Sequence, residues 1–236
     1  MTENEFNYFN EIKDILEFPS KEIFYVISII VRKKDLPEND SEFAQRKWKE
    51  HFIRHYFIRS VEEFLNLEQS IKDICNKYRA RAYFSLDAKN IRKVLSEQMK
   101  EEIELLAKPV FDGSEILKYK KNFDGIPRKE ETSESSLRYI HVDLDKTGNE
   151  GFVLSQKLDT ALFDKFNVNF KVLQTPNGYH FFRKIRSQNG NVNLQELGNL
   201  LTHFRNENNL ESTELEMKKN SMVLLYKSNL VENKQK

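Results

Sequence analysis

The stretch Ile140-His-Val-Asp-Leu-Asp145 holds the residues best suited to chemistry. Side chains alternate along a strand, so Ile140, Val142 and Leu144 turn toward a core while His141, Asp143 and Asp145 share the opposite face. Two carboxylates at i and i+2 repel each other, and Asp is disfavoured in strands to begin with. A divalent cation would offset that repulsion, and hard carboxylate oxygens suit Mg²⁺ or Mn²⁺ rather than a thiol-preferring metal. A third acid comes from Thr213-Glu-Leu-Glu-Met-Lys218, where Glu214, Glu216 and Lys218 share one face and Glu214 competes with Glu216 for the role. In residues 179–185 one face carries His180, Phe182 and Lys184, while Arg183 points inward by parity. Two metals about 4 Å apart, held by carboxylates, can clamp both ends of a phosphoryl displacement. His180, Lys184 and Lys218 are then candidates for the triphosphate oxygens. The bland alternative is an open sheet face that is simply solvated, which antiparallel sheets commonly have.

These residues need a frame, and the order of elements supplies one. Residues 138–145 alternate as a strand, 155–166 read as a helix, and 169–174 as a second strand. The turn Thr175-Pro-Asn-Gly178 then leads into the strand 179–185, a strong hairpin signal. A helix over 194–206 with Leu197, Leu200, Leu201 and Phe204 as its stripe precedes the strand 213–218. The order is βαββαβ, the RRM-like or ferredoxin-like unit of an α+β fold, with two helices on one face of four antiparallel strands. A further strand over 221–226 is expected to pair back through a tight turn at Lys219-Asn220. The first part of the chain reads as an N-terminal αβ lobe over 1–118. It has a helix from Phe6 to Leu16, a β-branched run over 23–31, helical spacing from 41 to 77, and a strand over 78–86. Asp87 or Asn90 would cap a helix running to Leu106. Residues 119–136 are polar and aperiodic and are expected to form a linker or mobile loop, with 137–228 expected as the RRM-like core and 229–236 as a frayed tail.

Composition removes several alternatives. With 236 residues the chain is long enough for two fused lobes, and 38 Lys+Arg against 37 Asp+Glu leave a net charge of +1, so any basic surface is local. The single cysteine, Cys75, excludes an internal disulfide framework and any multi-cysteine zinc site. Seven glycines form neither G-x-G-x-x-G nor G-x-x-x-x-G-K-[ST], which argues against Rossmann cofactors and P-loop ATPases. The first 21 residues lack the apolar core of a signal peptide, and the longest apolar run, 23–31 broken by Ser28, is too short to span a bilayer. The expectation is a cytoplasmic protein without a membrane partner.

Single strands are held by backbone charge and base stacking, so basic residues mixed with aromatics matter. Arg79, Arg81 and Tyr83 on one strand face are the candidate nucleic-acid contacts. Trp48, Phe52 and Tyr56 at i, i+4 and i+8 read instead as a helical core stripe.

The Val142–Asp145 acids, Gly178-Tyr179-His180 after a turn, and Leu215-Glu216-Met217-Lys218, in this order, resemble the three motifs of the archaeo-eukaryotic primase superfamily. The similarity is to the small primase-polymerases of plasmids, phages and mobile elements, and it covers about a third of the chain, residues 138–218. It implies catalytic metal binding by Asp143, Asp145 and Glu216, phosphate contact by His180, and Mg²⁺ or Mn²⁺ as cofactor. The implied partners are nucleoside triphosphates, a single-stranded DNA template and a separate helicase chain. Three features depart from the family: a Glu where Asp is usual in the third motif, Thr175-Pro-Asn before the Gly-Tyr-His, and a single cysteine, too few for a zinc-binding stem. The rival readings are a non-catalytic RRM-like single-strand binder and a metal-dependent nuclease.

Overall fold

The computed structural model describes residues 5–36, 50–107, 130–187, 190–218 and 222–228. The first lobe opens with β1 (Phe6–Asn7) and a short helix α1 (Phe9–Lys13), then β2 (Ile23–Arg32) and β3 (Glu50–Ile58). Helices α2 (Val61–Asn66) and α3 (Glu68–Tyr78) lead to β4 (Arg81–Ser85), β5 (Lys89–Asn90) and α4 (Ile91–Leu106). The second lobe runs β6 (Tyr139–Leu144), α5 (Gly148–Phe166), β7 (Lys171–Thr175), β8 (Gly178–Lys184), the ribbon β9 (Arg186–Ser187) and β10 (Gly190–Asn191), α6 (Leu194–Glu207) and β11 (Leu215–Lys218). The last strand is β12 (Met222–Lys227). The class is α+β with antiparallel sheets.

β2 is apolar along nearly its whole length because it is the inner strand of a sheet ordered β1-β12-β4-β2-β3 and is buried on both faces. One face packs on α1, α2 and α3 through Tyr25, Ile27, Ile29, Phe64, Ile71 and Phe84. The second sheet is ordered β11-β6-β8-β7. Its inner face, with Val142, Leu144, Phe181 and Leu215, forms a separate core with Leu158 and Leu162 of α5 and Leu197 and Leu201 of α6. The other face is not wholly open, as Leu173 and Phe182 are buried in the first lobe's core with Tyr139 packed against it. Polar residues of that face line a cleft together with residues of the first sheet.

Several expectations need correction. Within the span read as helical, residues 50–58 form a strand. A spacing of four is even, so Phe52 and Tyr56 fit a strand period as well as a helical one. A bulge opposite Ile29 and Ile30 then moves Phe52 to the face of His55, while Tyr56 stays with the core. Trp48 lies outside the described residues. The strand expected from Tyr78 begins only at Arg81, because α3 ends in a left-handed residue, Arg79, with φ 50°. Residues 222–227 do not pair back on β11. They insert between β1 and β4, with Val223 opposite Phe84, so the first lobe is completed by a strand from the far end of the chain.

Residues 119–129 and 229–236 lie outside the described residues. Residues 130–136 pack on the first lobe, with Thr132 and Ser133 buried and Lys89 Nζ donating to Ser133 Oγ at 2.7 Å. The helix expected over 155–166 starts seven residues earlier, at Gly148. A Cβ at Gly151 would stand 2.1 Å from the Lys146 carbonyl oxygen, so the glycine lets the first turn of the helix lie against the backbone that leads into it. The 175–178 hairpin and the Asn90 cap are as expected, the latter through Asn90 Oδ1 accepting from the Arg92 amide at 2.9 Å. Among the described residues no helix is long and apolar enough to cross a membrane.

Candidate functional site

Strand register places the acids. Asp143, near the end of β6, lies opposite Glu216 on β11 and opposite His180 on β8. One pleat away, His141 lies between Lys218 and Phe182. Asp145 follows β6 directly, and its amide donates to the Glu214 carbonyl at 2.7 Å. Gly178 holds this corner close, since a Cβ there would stand 1.8 Å from the Leu144 carbonyl oxygen.

A cleft of about 360 Å³ opens over these residues. The second sheet contributes His141, Asp143, Asp145, His180 and Lys218, and the Pro176-Asn177 turn closes one end. The facing wall comes from the first sheet, with Arg32, Arg81 and Tyr83, and from Met222 and Leu224 of β12. Tyr83 accepts from Arg32 Nη1 at 3.2 Å. Arg81 is buried and forms a two-bond pair with Asp35 at 2.5 and 2.7 Å, which fixes its guanidinium at the base of the wall.

Burial sets the electrostatics. It lowers His180 to about 4 against the opposing pull of Asp145, with Lys218 lowering it further. His141 lies well below the ordinary histidine value, first through burial and then through His180 and Lys218. Both imidazoles are therefore neutral at pH 7, so His180 Nε2, 3.4 Å from Asp143 Oδ1, is a dipolar neighbour and not a charge partner. Burial also raises Asp143, a shift that Lys218 opposes. The Lys218 ammonium is 3.4 Å from Asp143 Oδ2 and contacts Glu216 Oε1, and these acids raise its pKa against the cost of burial.

Several polar atoms in the cleft lack partners among the described residues. Both ring nitrogens of His141, Nδ1 of His180 and Oδ1 of Asp143 are buried without a hydrogen bond. Such groups are rare in native proteins and mark places where a ligand, ion or water completes the pairing. The His141 and His180 rings meet edge to face at 4.6 Å.

The structure brings together Asp143, Asp145, His180 and Lys218, with Arg81 and Tyr83 across the cleft. Glu216, half exposed, stands beside Asp143 at the rim. Glu214 is engaged elsewhere, with Lys146 at 2.7 Å, and that partner lowers its pKa. Lys184 pairs with Glu17 of the first lobe at 2.7 Å and does not line the cleft. Arg79 caps α3, exposed and away from the strand face it was expected to share. Sequence reasoning left His141 undecided and missed Arg32. The parity of β6 had already put His141 beside Asp143, whereas nothing local in the sequence brings Arg32 to this wall.

The donor set, three carboxylates around one strand end with a buried unpartnered oxygen on Asp143, fits a hard divalent ion in type. Among the described residues no three His, Cys, Asp or Glu side chains converge closely enough to hold one as they stand. Lys218 supplies the positive charge between Asp143 and Glu216. No protein-family model, curated protein or solved structure matches this chain.

Proposed function

We propose that the cleft belongs to a metal-dependent nucleotidyltransferase resembling a small primase-polymerase, which makes or extends a strand on a single-stranded template. The observation that carries this reading is Asp143 standing between Glu216 and His180 on three adjacent strands, facing a wall of Arg32, Arg81 and Tyr83. The strand order β11-β6-β8-β7, with α5 and α6 on one face, supports an RRM-like frame for it.

Asp143, Asp145 and Glu216 would hold Mg²⁺ or Mn²⁺, which when bound supplies charge stabilisation for a phosphoryl displacement. The neutral His180 ring and the Lys218 ammonium would meet phosphate oxygens, the first by a directed hydrogen bond and the second by charge. Tyr83, held by Arg32, offers a ring face to a base, the usual way a single strand is gripped without sequence preference. In the transfer the 3′-oxygen bonds to the α-phosphorus, the α–β bridging bond breaks, pyrophosphate leaves and the hydroxyl proton passes to solvent. A helicase on a separate chain would do the unwinding.

A second reading, a non-catalytic single-strand binder, is favoured by one observation: Lys218 rather than a third donor stands between the acids. Labelled nucleotide incorporation on primed and unprimed single-stranded templates, with Mg²⁺ or Mn²⁺, separates the two. The proposed function predicts extended products that fall by at least about a hundredfold in Asp143→Asn. A folded, strand-binding protein that yields no product under any metal supports the binder, and degradation of the template would point to a nuclease.

A further inference from the structure

Among the described residues, one face of helix α4 has no partner. Ile91, Leu95, Met99 and Ile103 follow one another at intervals of four and are 44%, 51%, 61% and 63% exposed. The opposite side of the helix is tied to the first lobe, where Lys93 Nζ donates to the Ser133 carbonyl at 2.8 Å. Residues spaced by four lie above one another on a helix and form a continuous ridge. Four large apolar side chains in such a ridge, each about half exposed or more, are unusual for a face that meets only water.

We propose that this ridge is the contact between two copies of the chain, with their α4 helices antiparallel about a two-fold axis. The pattern is its own complement. An axis passing between Leu95 and Met99 sets each Leu95 against Met99 of the second copy and each Ile91 against Ile103, so every apolar residue finds an apolar partner. Charge fixes the direction. Arg92, on the exposed flank at the start of the ridge, and Glu104, on the same flank at its end, approach each other across an antiparallel pair. A parallel two-fold pair would put the two copies of this flank on opposite sides of the contact, where Arg92 and Glu104 do not meet. The helix dipoles add to the same preference. Arg92 already contacts Glu22 at 2.6 Å while remaining 80% exposed, so it retains an open side toward a second copy.

The test is sedimentation of the full chain over a wide concentration range. The monomer has a mass of 28.1 kDa, and the proposal predicts a rise toward twice that value with concentration. Leu95→Glu and Met99→Glu each place a charge at the centre of the ridge and should hold the chain at the monomer mass throughout. Both positions are exposed, and circular dichroism checks that each variant is folded. The double variant Leu95→Glu, Met99→Lys should recover association, because the acid at 95 then faces the base at 99 of the second copy only in the antiparallel register. A wild type that remains monomeric at every concentration overturns the proposal. Dimers unaffected by the single variants overturn it too, by placing the contact on another surface. Neither readout depends on what the cleft does.

Discussion

The chemistry of this chain condenses on one side chain, Asp143, and on what burial does to its neighbours. A free imidazole takes its proton near 6.5, whereas His180 in the folded chain does so at about 4. Above pH 6.5 both folded and unfolded states are neutral and the buried ring carries no charge penalty. As pH falls from 6.5 to 4 the unfolded chain binds the proton first, so folded stability is lost across that window, by about 3 kcal/mol from this residue. His141, lowered for the same first reason, adds to the loss. Urea titrations at pH 7 and pH 4.5 should therefore show a smaller drop in His180→Gln than in the wild type, and equal drops would contradict the buried neutral ring. Lys218 leads to a second expectation. Its ammonium sits between Asp143 and Glu216, so it competes with any cation those acids would bind. Lys218→Met should tighten Mn²⁺ binding severalfold in a metal titration without nucleotide, and weaker binding would mean that Lys218 organises the acids instead. At this scale the sequence was most legible where parity decides: β6 puts His141, Asp143 and Asp145 on one face. It was least legible where a long side chain chooses among partners, as with Glu214 turning to Lys146 and Lys184 to Glu17.

At the scale of elements, legibility followed locality. The 175–178 hairpin was readable because Pro-Asn-Gly fixes its own turn, and the Asn90 cap because capping acts over two residues. β3 was misread because its apolar residues at a spacing of four satisfy both periods, and only the need of β2 for a partner strand decides between them. A bulge then changes which face each residue shows, a tertiary event without a local signature. The late start of β4 has a local cause, the left-handed Arg79, but Arg is a residue from which that conformation is not anticipated. The consequence reaches the site. Of the three residues expected to share a strand face, Arg81 and Tyr83 line the cleft and Arg79 does not.

For the whole molecule the decisive element is β12. A boundary drawn from composition gives residues 137–228 as a unit, yet their last strand sits between β1 and β4 of the other sheet. The seam is reinforced from the other side, where Phe182 and Leu173 are buried in the first lobe's core. The two lobes are thus interlocked, and the cleft between their sheets is a fixed product of that interlock. A chain of residues 137–228 alone would expose Val223, Leu225, Phe182 and Leu173, all buried in the whole protein. It should be insoluble or lack a cooperative thermal transition, while a soluble, cooperatively folding fragment would refute the interlocked arrangement.

The most direct test of the central claim is calorimetric titration of the whole chain with a nucleoside triphosphate in the presence of Mn²⁺. The proposed site predicts saturable binding that disappears with chelator and in the folded double variant Asp143→Asn, Asp145→Asn. Binding of the same strength in the variant, or no binding by the wild type, would contradict it.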